Sequence, residues 1–322
     1  MFKSVVSGLV MPTLPKVLLG YSSPTVLKVL LGFSTPTIGK IPLVRAAAVG
    51  FLPAAFFGLF THSASSEPAR VPEKVNAVYS ISFNGFDIGS FKFEANVEGH
   101  SYTLNGDAEL SALLGAFKWR GISRASGRVS GSGPKPADYS LAFNGTGRSG
   151  SIKVGFDGKG VTSASIVPPI PVASDEIPLQ RKHLSGALDP LTAVMALTFG
   201  SAANPCDRKL AIFDGKQRFD LQLSKRAERE TRGFPGDPRS GGLSVVCGVD
   251  YRPLGGFQMT AQTEQLAKST GIEISMLPVA GANLAVPQEV RIPTSVGSVI
   301  LTAEKITVTD GYKRRVALLE GR

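Results

Sequence analysis

Histidine is scarce in this chain of 322 residues. There are three, His62, His100 and His183, and none has a second histidine or a cysteine at ligand spacing, which argues against a zinc site. Cysteine is scarcer still: Cys206 and Cys247, with no Cys-x-x-Cys pair to carry redox chemistry. No Gly-x-Ser-x-Gly elbow is present, and the glycines stand singly at turns rather than in a phosphate-binding loop between strand and helix. No apolar run reaches the roughly twenty residues of a membrane-spanning helix. Nor do the strands carry the aromatic girdles of an outer-membrane barrel. Acidic residues are absent from the first 66 positions, which hold five Lys/Arg.

That last absence frames what is there. The segment ends in an apolar run of 15 residues, 46–60 (AAAVGFLPAAFFGLF). Lys40 and Arg45 precede it, and the small residues Ser63-Ala64-Ser65-Ser66 follow. A positive region, a short apolar region and small residues at the cleavage positions make residues 44–66 a secretory signal peptide, an uncleaved anchor being the alternative. Export to the periplasm is therefore expected. Residues 1–43 carry a repeat with an offset of 12, KVLLGYSSPT at 16–25 and KVLLGFSTPT at 28–37. That is short for a packing unit, and the proline in each copy interrupts a helix. The expectation is a segment upstream of the true start, which a peptide from residues 1–40 found in native cells would contradict.

Residues 67–322 read as a single β domain, or as two halves joined by the Pro-rich segment 167–178. Here 30 Lys/Arg face 25 Asp/Glu, a modest excess that does not point to nucleic acid and allows peripheral contact with anionic headgroups at most. Tyr79, Ile81 and Phe83 alternate with serines up to Asn84-Gly85, the strongest short hairpin signal, and Phe86 and Ile88 return. Similar alternation recurs with turns expected at Glu98-Gly99, Asn144-Gly145, Asp157-Gly158 and Asp214-Gly215. Such spacing predicts an antiparallel β-barrel or open β-spiral of many short strands. One helix stands out near 189–200: Asp189 as N-cap, Pro190 at the first position, then Leu191, Val194, Met195 and Phe199 at helical spacing, with Gly200 as the stop. Met195 and Phe199 read as core contacts. The mixed-charge run 225–232 reads as the solvated end of a hairpin.

An exported chain with two cysteines usually pairs them, so Cys206 and Cys247 are expected to form a disulfide. Trp119, the only tryptophan, stands between Lys118 and Arg120. On a strand this places an inward ring between two outward cations. The functional alternative is a ligand platform in which the ring stacks and the cations hold an anion. No catalytic residue, metal or cofactor is singled out.

The order of features resembles a bacterial envelope family, the one catalogued as domain of unknown function 3108. The features are the Tyr79 to Gly89 strand pair, Leu188-Asp189-Pro190-Leu191, the Phe213-Asp214-Gly215 turn between the two cysteines, and Tyr251-x-Pro-x-Gly-Gly. The resemblance covers about 75–308 and implies an exported, mostly β protein; it carries over no catalytic residue. The functional expectation is non-catalytic support of the cell envelope, by binding an apolar or envelope-derived ligand, such as a lipid, or an envelope protein. The alternative is an envelope glycan hydrolase or lyase whose carboxylate pair meets only in the fold.

Overall fold

Alternation of apolar and polar residues becomes strand almost everywhere it occurs. A computed structural model describes residues 72–131, 133–199, 203–231, 242–279, 283–309 and 315–319. The segment expected to be a signal peptide (44–66), the repeat, Gly200 and residues 233–241 lie outside them. The first seven strands are β1 (Lys74–Phe83), β2 (Phe86–Glu98), β3 (Ser101–Ala112), β4 (Phe117–Ser130), β5 (Gly133–Gly145), β6 (Arg148–Phe156) and β7 (Val161–Val167). The Pro-rich stretch follows, with the short β8 (Glu176–Ile177), and leads to helix α1 (Pro190–Thr198). Then come β9 (Lys209–Phe213), β10 (Arg218–Thr231), β11 (Gly242–Gly255), β12 (Phe257–Gln258), helix α2 (Ala261–Leu266), β13 (Glu273–Pro278), β14 (Ala285–Thr294), β15 (Gly297–Thr309) and β16 (Arg315–Leu319).

Fourteen strands form one antiparallel sheet, in the order β7-β6-β5-β4-β3-β2-β1-β15-β14-β13-β11-β10-β9, with β16 added on β15. Strands from both sides of the Pro-rich segment thus share a sheet. Of the two architectures expected, the open one is found. The ladder does not close, and β7 and β9 are its edges. The sheet is nevertheless strongly curled. Residues 185–188 run between the two edges, with one bridge from Ser185 to Gly160 beside β7 and one from Leu188 to Ile212 on β9. A Cβ placed on Gly215, in the β9–β10 turn, would lie 2.3 Å from Ile152 of β6. Inward residues from all parts of the sheet, including Tyr79, Leu104, Ile152, Phe213, Met276 and Ile292, join one core.

One expected turn is not found, and one strand hides a bulge. Asn144-Gly145 is not a turn; β5 runs through it and the turn falls at Thr146-Gly147. Gly145 faces Trp119 in the register, and a Cβ there would lie 2.8 Å from the indole ring. The glycine serves close approach rather than chain reversal. Glu304-Lys305 lies within a single strand, because the register with β1 skips Glu304. That bulge shifts the inward positions from Leu301 and Ala303 to Ile306 and Val308. The six-residue α2, capped by Thr260, has no apolar periodicity to announce it.

Candidate functional site

Seven of the nine residues of α1 are buried. A helix apolar on every side belongs inside a fold rather than on its surface. Accordingly α1 lies within the curl, touching β3, β4, β5, β9 and β14. Its start follows the local rules. The Asp189 side chain accepts a hydrogen bond from the Thr192 N–H at 2.9 Å, and Pro190 occupies the first helical position. Phe199 caps the C-terminal end in extended conformation and pairs with Leu284. Across the interior, Tyr102 and Thr192 share a hydroxyl–hydroxyl hydrogen bond of 3.0 Å, which ties α1 to β3.

On its other side α1 leaves a cavity of about 130 Å³. The helix contributes Ala193, Val194, Leu197 and Thr198, followed by Phe199. The sheet contributes Val75, Ala77 and Tyr79 of β1, Phe91 and Phe93 of β2, and Val286, Val290 and Leu301 of β14 and β15. The polar side chains on this wall are already engaged. The Tyr79 hydroxyl donates to the Pro287 carbonyl at 2.9 Å, and the Thr198 hydroxyl donates to the Met195 carbonyl at 3.0 Å. Burial holds the Tyr79 hydroxyl well above its usual pKa. What the cavity presents is apolar surface, with the Tyr79 and Phe91 rings stacked at 6.2 Å. Ile88, Phe117, Trp119 and Phe143, which do not line it, are partly buried against the core. A larger depression of about 500 Å³ lies across β3–β7, edged by Arg124, Asp138, Lys153 and several serines. It is an open surface saddle.

The sequence-singled residues separate. Trp119 packs against the core from the inner face, over Gly121 and Gly145. Lys118 and Arg120 are exposed on the opposite face, and Arg120 pairs with Asp107 at 2.8 Å and Glu109 at 3.1 Å. The sheet therefore lies between the ring and the cations, and the three do not converge on one ligand. Cys206 and Cys247 are brought together, in a disulfide with Cα atoms 5.2 Å apart that ties the segment before β9 to β11. Met195 is a fully buried core contact; Phe199 borders the cavity. His183 accepts from the Gln180 N–H through Nδ1, and the His100 carbonyl accepts from Val129. Among the described residues, no three or more His, Cys, Asp or Glu gather to hold a metal. No described helix is long and apolar enough to cross a membrane.

Three acids are buried: Asp220, which pairs with Arg218 at 2.7 Å, and two others, Asp189 and Asp214. Asp189 has no exposed surface, and its Oδ2 has no hydrogen-bond partner. Burial pushes its carboxyl up to about 6. Asp214 accepts from the Lys216 and Gln217 N–H groups and shapes the β9–β10 turn. Both raise the Tyr139 hydroxyl further after burial has done so. Neither acid borders the cavity. Sequence reading placed the helix but not the cavity, because its wall draws on β1, β2, β9, β10, β13, β14 and β15 at once.

A family model described as "Protein of unknown function (DUF3108)" matches residues 78–240, just over half of the chain. The chain belongs to this family. The match takes in the strand pair from Tyr79, the Leu188-Asp189-Pro190-Leu191 helix start, Cys206 and the Phe213-Asp214-Gly215 turn. It is shorter than the 75–308 span the motifs suggested: Cys247 and the Tyr251-x-Pro-x-Gly-Gly stretch lie beyond it, in strands that complete the family region's own sheet. No curated protein and no solved structure matches the chain.

Proposed function

We propose that this is an exported periplasmic protein that holds an apolar, envelope-derived ligand inside its curled sheet. The observation that carries the reading is the apolar cavity between α1 and β1, β2, β14 and β15. Residues 44–66 have the pattern of a signal peptide, and the disulfide suits an oxidising compartment. Size narrows the ligand. An apolar cavity of about 150 Å³ stays dry and accepts a ring the size of benzene. At about 130 Å³ the cavity takes the end of an acyl chain or one ring. The hydrolase reading takes no support from Asp189 and Asp214, which cap a helix and a turn.

The test is titration of the mature protein with an environment-sensitive apolar dye, followed by competition with free fatty acids. Saturable binding with fluorescence enhancement is expected. Ala193→Phe, which fills the cavity from the helix side, should weaken binding about ten-fold or more while circular dichroism stays that of the wild type. Binding that is absent, or unchanged in a folded Ala193→Phe protein, would overturn the reading.

A further inference from the structure

Because the strands alternate in direction, the β1–β2, β3–β4, β5–β6 and β14–β15 turns fall at one end of the sheet. Asn84 ties two of them together, donating to the Val296 carbonyl at 3.0 Å and accepting from the Ser298 N–H at 2.9 Å. The tips at this end carry large apolar side chains that stay largely or half exposed. Phe86 is 76% exposed, Leu113 54%, Leu114 fully, and Val296 45%. Leu113 and Leu114 both have φ of 54°. A left-handed backbone costs a branched residue roughly 1–2 kcal/mol, and glycine or asparagine would fit the turn better. Neither turn geometry nor core packing accounts for two consecutive leucines here.

Charge tells what they meet. Lys118 flanks the leucine tip, its Cε 3.5 Å from where a Cβ on Gly115 would stand. The β5–β6 turn docks beside it, the Thr146 N–H donating to the Lys118 carbonyl, and brings Arg148 to the same end. Both cations are exposed, and neither has an ion-pair partner among the described residues. The acid of these tips, Asp87, is turned to its own backbone, accepting from the Gly89 N–H at 2.9 Å. Apolar tips that reach past free cations match the layering of an anionic bilayer, headgroups outside and acyl chains within.

We propose that this end of the sheet docks on the surface of an anionic lipid bilayer, with Leu113, Leu114 and Phe86 inserted and Lys118 and Arg148 among the headgroups. The proposal deepens the ligand-carrier reading, since it sets the curled interior beside the source of an apolar ligand. It does not depend on the cavity being occupied.

The test is co-sedimentation of the mature protein with vesicles of phosphatidylglycerol and phosphatidylethanolamine. Wild type should bind, and more weakly in high salt. Leu114→Ser should lower the partition at least about ten-fold, since an inserted leucine side chain contributes about 1.5–3 kcal/mol. Lys118→Glu should also lower it. Leu243→Ser removes a leucine that is 57% exposed at the opposite end and should change nothing. Each variant is first checked for apolar-dye binding in solution, which Leu114→Ser should retain; that separates failure of docking from failure of the carrier reading. Wild type remaining in the supernatant, Leu114→Ser sedimenting like wild type, or Leu243→Ser losing as much as Leu114→Ser would each overturn the proposal.

Discussion

The two arms of the sheet are built from different inward residues. Between Trp119 and Val129, β4 turns Gly121, Ser123, Ala125 and Gly127 to the inside. The corresponding faces of β13 and β14 present Ile274, Met276, Val290 and Ile292, all buried, with Met276 and Ile292 at 0% exposure. The second arm is packed directly and stapled by the Cys206–Cys247 disulfide. The first leaves room, and α1 fills it: Leu191 lies 3.0 Å from where a Cβ on Gly106 of β3 would be. The cavity falls on the far side of the same helix, toward β1, β14 and β15. A curled sheet lined with small residues on one arm and large ones on the other therefore holds an internal helix off-centre. The space left over is apolar.

The largest effect expected from disturbing this arrangement is loss of the staple. Replacing both cysteines by serine opens a constraint across 41 residues. The chain-entropy account gives about 4 kcal/mol for such a loop. Denaturant unfolding should show that loss, and an unchanged midpoint would remove the staple from the account. Next comes crowding of the roomy arm. Gly106→Val drives a side chain into Ser123, Leu191 and Phe91. Overpacking of this kind costs about 1–3 kcal/mol. The same substitution should also displace α1, visible as a change in apolar-dye affinity. Stability without penalty would mean that α1 is not held where the small residues allow.

A pH-dependent contrast sharpens the role of the helix start. The Asp189 carboxyl is raised from 3.8 to about 6 by burial. The folded state therefore favours the protonated acid. That contribution is present below pH 4 and is lost as pH rises through 6, so the ionised group weakens the fold at neutral pH. Asp189→Asn keeps an acceptor for the Thr192 N–H and removes the charge. It should stabilise by up to about 3 kcal/mol at pH 8, with the advantage vanishing near pH 4, the shift of about two units setting the scale. Denaturant midpoints across that range check it; a pH-independent difference would contradict it. The smallest effect is on the outer face. Arg120→Gln breaks exposed pairs with Asp107 and Glu109, which solvent screens, and should leave the midpoint within error. Trp119→Ala, on the inner face of the same strand, should lower it clearly.

Much of the β arrangement was legible, because inward alternation and turn chemistry agree at places such as Asn84-Gly85, where both residues adopt positive φ. The helix was legible from Asp189 and Pro190, whose capping roles are local. Asn144-Gly145 misled because its glycine answers a tryptophan 26 positions away rather than a turn. Whether the sheet closed was open for the same reason: it depends on how residues 185–188 meet Gly160 and Ile212, which no local pattern encodes. The cavity was not legible at all. Its walls are ordinary core residues, Ala77, Phe93 and Leu301 among them, and only their imperfect fit around α1 makes a site. No local pattern marks Leu113-Leu114; their exposure depends on a turn that the sequence does not advertise.

The measurement that bears most directly on the central claim is native mass spectrometry of the protein, purified gently from its own cells. The expected result is a bound small mass, lipid-like in composition, that is released on denaturation and whose partner chain has residues 1–66 removed. A chain that flies bare under conditions where the apolar dye is retained would contradict the claim that this interior carries an envelope-derived ligand.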